Sequence, residues 1–121
     1  MMSEKYIDDV VHIQMSTPRI DSRNAHEFKH EIYKLIDSGQ KNLLISLRSV
    51  EFIDSSGLGA IVSSLVSMGR RGEIVLCEPH DAVSDLFKLT RVNRLFRIFE
   101  EENEAWSYLS KKHNGVSSSA T

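Results

Sequence analysis

Four short segments of the chain have the hydrophobic patterns of β-strands. Residues 10–15 alternate apolar and polar side chains, and the short segment before them predicts an N-terminal hairpin or a bent strand. The nearly unbroken apolar run at 42–47 is typical of a strand covered on both faces, so we expect it to lie in the centre of a sheet. Two shorter apolar runs, at 73–77 and 95–99, predict further strands.

Apolar side chains at helical spacing predict two helices between these strands. The first helix follows the candidate N-caps Asp21 and Ser22 and ends at Gly39. The second begins at the polar pair Asp54 and Ser55 and ends before two arginines, whose charges suit the negative end of the helix dipole. The apolar stripe expected to face inward on this second helix is Leu58, Ile61, Val62, Leu65 and Val66.

Two more helices are predicted towards the C-terminus. A short helix follows His80 or Asp81, either of which could cap it. The last helix begins among consecutive glutamates and ends at two lysines, as the helix dipole favours. The side chains expected to face inward on it are Ala105, Trp106 and Leu109.

The alternation of strands and helices indicates one α/β domain over residues 1–111. We expect a mixed four- to five-stranded sheet with parallel inner strands and about four helices. The small polar side chains of residues 112–121 bury little and predict a disordered tail. With 121 residues, of which 40% are hydrophobic and 26% charged, the chain has the composition of a single globular domain.

Composition and charge also exclude several classes of function. The formal net charge of -2 supplies no large positive field for binding nucleic acid or anionic lipid. No apolar stretch is long enough for a leader or a membrane span, so a cytoplasmic protein is expected. Cys77 is the one cysteine, and its place in an apolar run predicts a core position. His26 and His30 have the spacing of a helical metal pair, but no third ligand accompanies them, so we expect no metal or cofactor.

The segment DSSGLG at 54–59 places an acid, two hydroxyls and two glycines at a predicted helix start. One side chain, Asp54 or Ser55, is enough to cap the helix, so the other hydroxyl is either solvated or functional. The glycine that precedes the serine of a nucleophile elbow is missing, as is the lysine of a phosphate-binding P-loop, so neither a hydrolase nor a nucleotide site is indicated. A phosphorylated serine adds about -1.5 to -2 charges, which a helix N-terminus tolerates better than a docked partner does. A binding switch fits these constraints.

Three linked features resemble the STAS domain of the bacterial anti-anti-sigma factors, the anti-sigma factor antagonists of the SpoIIAA kind. They are FIDSSGLG at 52–59, GEIVLC at 72–77 and VSDLF at 83–87, and the resemblance covers roughly residues 6–110. It implies a STAS fold and a protein that is not an enzyme. It also implies binding to an anti-sigma factor of the GHKL ATPase fold, with release of a sigma factor. In that family the partner is often a serine kinase that phosphorylates the first serine after the aspartate, here Ser55, and a PP2C-type phosphatase removes the phosphate.

The resemblance further implies a surface for this partner, with Ser55 at its centre. Family members carry a glycine shortly before the aspartate that precedes the first helix, and here Pro18 or Arg19 fills that position. An alternative is an unswitched STAS scaffold within a larger signalling or transporter-associated complex, since one fold serves many roles. The residues expected at the partner surface are Asp21, Ser22, Asp54, Ser55, Ser56, Gly57, Leu58, Gly59, Thr90 and Arg91.

Overall fold

The computed structural model describes the backbone of residues 1–119 and the side chains of residues 1–111. The strands are β1 (Met2–Ile7), β2 (Val10–Met15), β3 (Arg19–Ile20), β4 (Asn42–Ser46), β5 (Phe52–Ile53), β6 (Glu73–Cys77) and β7 (Arg97–Phe99). The helices are α1 (Ala25–Asp37), α2 (Ser55–Met68), α3 (Asp81–Leu89) and α4 (Glu102–Ser119), with 3₁₀ turns at Gly69–Arg71 and Val92–Arg94.

Five strands form the main sheet in the order β1-β2-β4-β6-β7. Strand β1 is antiparallel to β2, and the other neighbours are parallel. The predicted hairpin is confirmed, with Asp8 in its turn at a φ of 53°. The predicted central position of β4 is also confirmed, and the mixed sheet with parallel inner strands and helical crossovers agrees with the expected α/β fold class.

The two faces of the sheet carry different helices. Helices α1, α2 and α3 bury their apolar residues on one face, and α4 buries Ala105 and Leu109 on the other. Strand β4 serves both cores, because Leu43 and Ile45 point to the first face and Leu44 points to the second. This double burial explains why β4 has an unbroken apolar sequence.

A second, two-stranded sheet was not part of the expected architecture. Strands β3 and β5 pair in parallel through Arg19 with Phe52 and Ile20 with Ile53. Each strand has only two residues, so neither produces a periodic pattern in the sequence. The predicted caps of α1 also need correction, because Asn24 precedes the helix and Asp21 and Ser22 lie in the turn before it.

The inward face of α2 differs from the predicted stripe. The residues that it buries are Gly57, Ala60, Ile61, Ser64 and Met68. Val66, which the spacing predicts to face inward, is 73% exposed, and Leu58, Val62 and Leu65 are only partly buried. The correction has a packing cause, because α2 packs against α1 and its first turn lies so close to strand β3 that a Cβ at Gly57 would overlap the carbonyl oxygen of Ile20.

The backbone of α4 is described to Ser119, and the disordered tail over residues 112–121 that the sequence suggests stays a prediction. Among residues 1–111, Leu109 is the last side chain that α4 buries. Residues 120 and 121 lie outside the described part of the chain. Over the part that is described, no helix combines the length and the apolar character that a membrane crossing requires.

Cys77 lies in the core, as its place in an apolar run predicts. Its side chain is fully buried at the end of β6. Burial raises the pKa of the thiol to about 12, and the nearby carboxylates of Glu102 and Glu78 act in the same direction. A thiol that stays protonated at neutral pH is a poor nucleophile, so the position of Cys77 is structural.

Candidate functional site

The small β3–β5 sheet brings two distant loops together at the start of α2. Ile20 pairs with Ile53, so the residues that follow them, Asp21 and Asp54, become neighbours. The backbone N–H of Asp54 donates to the carbonyl oxygen of Ile20 at 3.3 Å. The DSSGLG segment is thereby fixed against the loop that leads into α1.

Asp54 is the N-cap of α2, as one of the two sequence alternatives predicts. Its Oδ1 accepts a hydrogen bond from the N–H of Gly57 at 2.9 Å, which satisfies one of the free donors of the first helical turn. Its Oδ2 accepts from the N–H of Ser22 at 3.1 Å. One carboxylate oxygen therefore caps α2 and the other joins this turn to the loop before α1, so the aspartate positions the site.

Gly57 allows the close contact between α2 and β3. The residue is buried, and a Cβ at this position would overlap the carbonyl oxygen of Ile20. Gly59, two residues further along the helix, is exposed and has open space around it. The two glycines of DSSGLG therefore differ, because the packing requires a glycine only at Gly57.

Ser55 and Ser56 lie on the outer side of the same helical turn. Both are exposed, and neither side chain forms a hydrogen bond with any described residue. Ser55 is the first residue of α2, so its hydroxyl lies beside the N–H groups and the positive end of the helix dipole. This hydroxyl is therefore accessible from solvent without any contact inside the fold being broken.

Asp21, on the loop beside this turn, accepts hydrogen bonds from two arginines. Its side chain is buried and accepts hydrogen bonds from the N–H of Arg23 at 3.0 Å, from Nη2 of Arg23 at 3.1 Å and from Nε of Arg19 at 3.4 Å. The bonds from Arg23 are the main reason that the pKa of the Asp21 carboxyl is lowered. Arg19 also stacks over the ring of Phe52, with its guanidinium carbon 4.6 Å from the ring centroid.

A shallow polar groove of about 350 Å³ runs between α1 and α2 next to the two serines. His26 and Lys29 of α1 contribute the titratable and charged groups on one wall. The residues lining this α1–α2 groove are Ser22, Ala25, His26, Lys29, Ser56, Gly59, Ala60 and Ser63. Among residues 1–111, no cluster of three or more His, Cys, Asp or Glu side chains could hold a metal ion.

Comparison with known protein families identifies the family to which this architecture belongs. Residues 3–105 match the family model for the STAS domain, which covers most of the chain. The chain belongs to the STAS domain family. Its sheet order and its four helices agree with those of solved members of the same fold.

This STAS domain is similar over most of its length to a candidate anti-sigma factor antagonist of Thermotoga maritima. The two sequences are 32% identical over 114 residues, which is 93% of this chain and 100% of the relative. The crystal structure of the Thermotoga maritima protein superposes with a TM-score of 0.83 and covers 89% of this chain and 93% of that one.

More distant structures show the same fold. The phosphorylated form of the Bacillus cell fate determinant SpoIIAA, 17% identical, has a TM-score of 0.69 over 90% of this chain and 99% of that one. A sulfate transporter family protein of Wolinella succinogenes, 20% identical, has a TM-score of 0.73 and covers 84% of this chain and 85% of that one. At these identities the likeness concerns the fold alone.

Most of the predicted surface residues of this STAS domain come together, and two do not. Asp21, Ser22 and the DSSGLG segment form one continuous site at the carboxyl edge of the parallel strands. Helix α3 runs between the parallel strands β6 and β7, so it begins at that edge and ends at the other. Thr90 and Arg91 follow its last turn and lie a helix length away from the site.

Several residues at the site have no signal in the sequence pattern. Arg23, His26 and Lys29 read as ordinary polar positions on a loop and a helix face, and Phe52 reads as an apolar strand residue. Their proximity to Ser55 depends on the β3–β5 pairing and on the packing of α1 against α2. Arg19 lies in the stretch that departs from the family pattern, and only that departure draws attention to it.

Proposed function

We propose that this STAS domain is an anti-sigma factor antagonist that is switched by phosphorylation of Ser55. In the unphosphorylated form it binds an anti-sigma factor, a serine kinase of the GHKL type, and the sigma factor is released. Phosphorylation at Ser55 by that kinase ends the interaction, and a PP2C-type phosphatase restores it. The similarity over the full length of the Thermotoga maritima relative supports the antagonist role.

One observation carries the proposed switch. Ser55 is an exposed first residue of α2, while the capping of the same turn is already performed by Asp54. A phosphate on Ser55 would add about -1.5 to -2 charges close to the free N–H groups of the helix start. The fold can accept this dianion, whereas a partner docked on the turn would have to desolvate it or match it with cations.

The residues of the site divide by role in this proposal. Asp21 and Asp54 position the two loops and offer the partner no unused carboxylate oxygen among the described contacts. Gly57 sets the distance between α2 and β3, and Leu58 is partly covered. The side chains and the glycine surface that face outwards are Ser22, Ser55, Ser56 and Gly59. Neither a catalytic group nor a cofactor has a part in this mechanism, and the interaction takes place in the cytoplasm.

Phosphate mapping with the partner kinase tests the proposal. The GHKL-type kinase is sought among the genes adjacent to that of this protein, purified, and incubated with the domain and ATP. Mass spectrometry is expected to place one phosphate on Ser55, to find none in Ser55→Ala and to find the wild-type amount in Ser56→Ala. Ser56 is the matched control, because it is the adjacent exposed hydroxyl on the same turn. Full phosphorylation of Ser55→Ala would overturn the assignment.

A second candidate is an unswitched STAS scaffold, for which the fold of the Wolinella succinogenes sulfate transporter family protein is the specific observation. In a scaffold, Ser55 would carry no phosphate in cells under any growth condition, and the domain would co-purify with a partner that is not a kinase. Phosphate on Ser55 in cell extracts, removed by a PP2C-type phosphatase, would exclude this role.

A further inference from the structure

The end of the domain opposite to Ser55 combines exposed arginines that form no ion pair with a described residue and exposed apolar side chains. Helices α2 and α3 both end there, because each crosses back between parallel strands. Val66 and Leu89, near the two helix ends, are 73% and 83% exposed, and Leu95 in the following turn is 56% exposed. We call this surface the basic end and define it by Val66, Arg70, Lys88, Leu89, Arg91, Arg94 and Leu95.

The charges at the basic end distinguish it from the rest of the surface. The arginines of the chain that form an ion pair with a described carboxylate are Arg19, Arg23, Arg48, Arg71 and Arg97. The three that form none with a described residue, Arg70, Arg91 and Arg94, all belong to the basic end. Lys88 adds a further positive charge there, as exposed lysines do elsewhere on the surface. In the isolated domain, these arginines therefore lack a carboxylate partner, and the exposed leucines are not covered by other side chains.

A recess of about 440 Å³ opens between the end of α2 and the turn before β7. Leu65, Ile74, Leu95 and Phe96 supply the apolar part of its lining, and Asn93 and Arg94 supply polar groups. Glu73 and Arg97 also line it, and their side chains form an ion pair of 3.5 Å with each other. Such a recess can receive an apolar side chain, and the guanidinium of Arg94 can pair with a carboxylate on the same ligand. The shape and the charge therefore fit one kind of ligand.

We infer that the basic end is a second docking surface that binds an acidic, amphipathic segment of a partner protein. The partner's apolar side chains occupy the recess and cover Leu89 and Leu95, while its carboxylates pair with Arg70, Arg91 and Arg94. Nucleic acid fits less well, because the exposed side chains are aliphatic and offer bases no stacking surface. A lipid surface fits less well, because a flat bilayer cannot fill a recess between two elements.

This surface is independent of the proposed switch. It lies at the amino edge of the parallel strands, and Ser55 lies at the carboxyl edge, with the length of α2 between them. Binding at the basic end is therefore expected to be the same with serine, aspartate or phosphoserine at position 55. The inference stands or falls without regard to the role of Ser55.

Fluorescence anisotropy with a synthetic probe tests the inference. The probe is a labelled amphipathic helix of about 15 residues with one glutamate face and one leucine face. The control probe carries glutamine at every glutamate position. We expect the acidic probe to bind the full chain, with an affinity that falls as salt is raised, and the glutamine probe to bind at least about tenfold more weakly.

Paired variants of the domain locate the binding. Arg94→Glu and Leu89→Ser are each expected to weaken binding of the acidic probe by about tenfold. Lys5→Glu and Ile7→Ser make the same chemical changes at exposed positions of β1 and should leave the affinity unchanged. Circular dichroism melting of all four variants reports whether each one is folded, and Arg70→Glu provides a second charge reversal should one of them unfold.

Several outcomes would overturn the inference. Equal affinity for the two probes would remove the role of charge, and equal binding by Arg94→Glu, Arg70→Glu and Lys5→Glu would place the interaction elsewhere. Binding to phosphatidylglycerol vesicles or to duplex DNA in the absence of probe binding would assign the surface to lipid or to nucleic acid. Loss of probe binding in a folded Ser55→Asp variant would overturn the part of the inference that makes the basic end independent of position 55.

Discussion

The inner and outer sides of the first turn of α2 have opposite physical characters. On the inner side, Gly57 is buried against β3 and Asp54 holds two backbone N–H groups through its two carboxylate oxygens. On the outer side, Ser55 and Ser56 are exposed and make no side-chain hydrogen bond with described residues. Adjacent residues of one short motif therefore have different roles, because successive residues of a helix point in different directions around its axis.

This difference shows how a small domain can change its surface without changing its fold. The groups that hold the two loops together all lie on one side, and the hydroxyls available for modification lie on the other. Substitutions on the inner side should therefore alter stability, and substitutions on the outer side should alter only binding. Each of the following predictions tests that division.

The largest expected effect is that of Gly57→Ala. A methyl group at this position meets the carbonyl oxygen of Ile20, so α2 and β3 must separate, and we expect a loss of about 3 kcal/mol in the free energy of unfolding. Gly59→Ala is the control on the same helix, where the added methyl group meets nothing and stability should rise by about 0.5–1 kcal/mol. Urea denaturation measures both, and equal stability of the two variants would contradict the close contact at Gly57.

The next effect is that of removing the cap. Asp54→Ala leaves the N–H groups of Gly57 and Ser22 without their acceptor, and we expect a loss of about 2 kcal/mol in stability. Asp54→Asn keeps one acceptor oxygen and should lose roughly half as much. Thermal and urea unfolding measure the series, and an unchanged Asp54→Ala variant would mean that the carboxylate does not join the loops.

A smaller effect concerns Asp21 and its pH dependence. Because Arg23 lowers the pKa of the Asp21 carboxyl in the folded protein, the ionised form contributes stability above the unfolded pKa near 3.8 and loses that contribution as the pH falls through the folded pKa. Arg23→Ala should raise the pKa of Asp21 towards its ordinary value and destabilise the domain at neutral pH more than at acid pH. NMR titration of the carboxyl carbon measures the pKa, and an identical titration in the variant would exclude the pair.

The larger elements of the fold could be predicted because each one is long enough to show its period. The amphipathic spacing of α1 reflects the one stripe that it buries, and the alternation of β2 reflects its one buried face. The unbroken apolar run of β4 reflects burial on both faces. The cap at Asp54 could also be predicted, because N-caps have a narrow choice of residues. These features depend on local sequence.

The remaining features depend on contacts between distant segments. The β3–β5 pair has two residues in each strand and gives no periodic signal, yet it determines which loops meet at Ser55. The burial of Ala60 and Ser64 in place of Val66 depends on how closely α1 approaches α2, which the pattern of α2 alone does not contain. The hydrogen bonds from Arg23 to Asp21 depend on the conformation of the turn before α1, which the sequence pattern does not show.

The most direct measurement of the central claim uses protein with phosphoserine incorporated genetically at position 55. The control carries phosphoserine at the exposed position 107 of α4, on the other face of the sheet, where kinase binding should not change. Unfolding temperature and affinity for the GHKL-type kinase are measured on each sample. We predict that phosphoserine at 55 leaves the unfolding temperature within about 2 °C of the unmodified domain and weakens kinase binding by about a hundredfold or more. Unchanged affinity, or weakened binding that is accompanied by loss of the fold, would contradict the separation of a stabilising inner side from a switchable outer side.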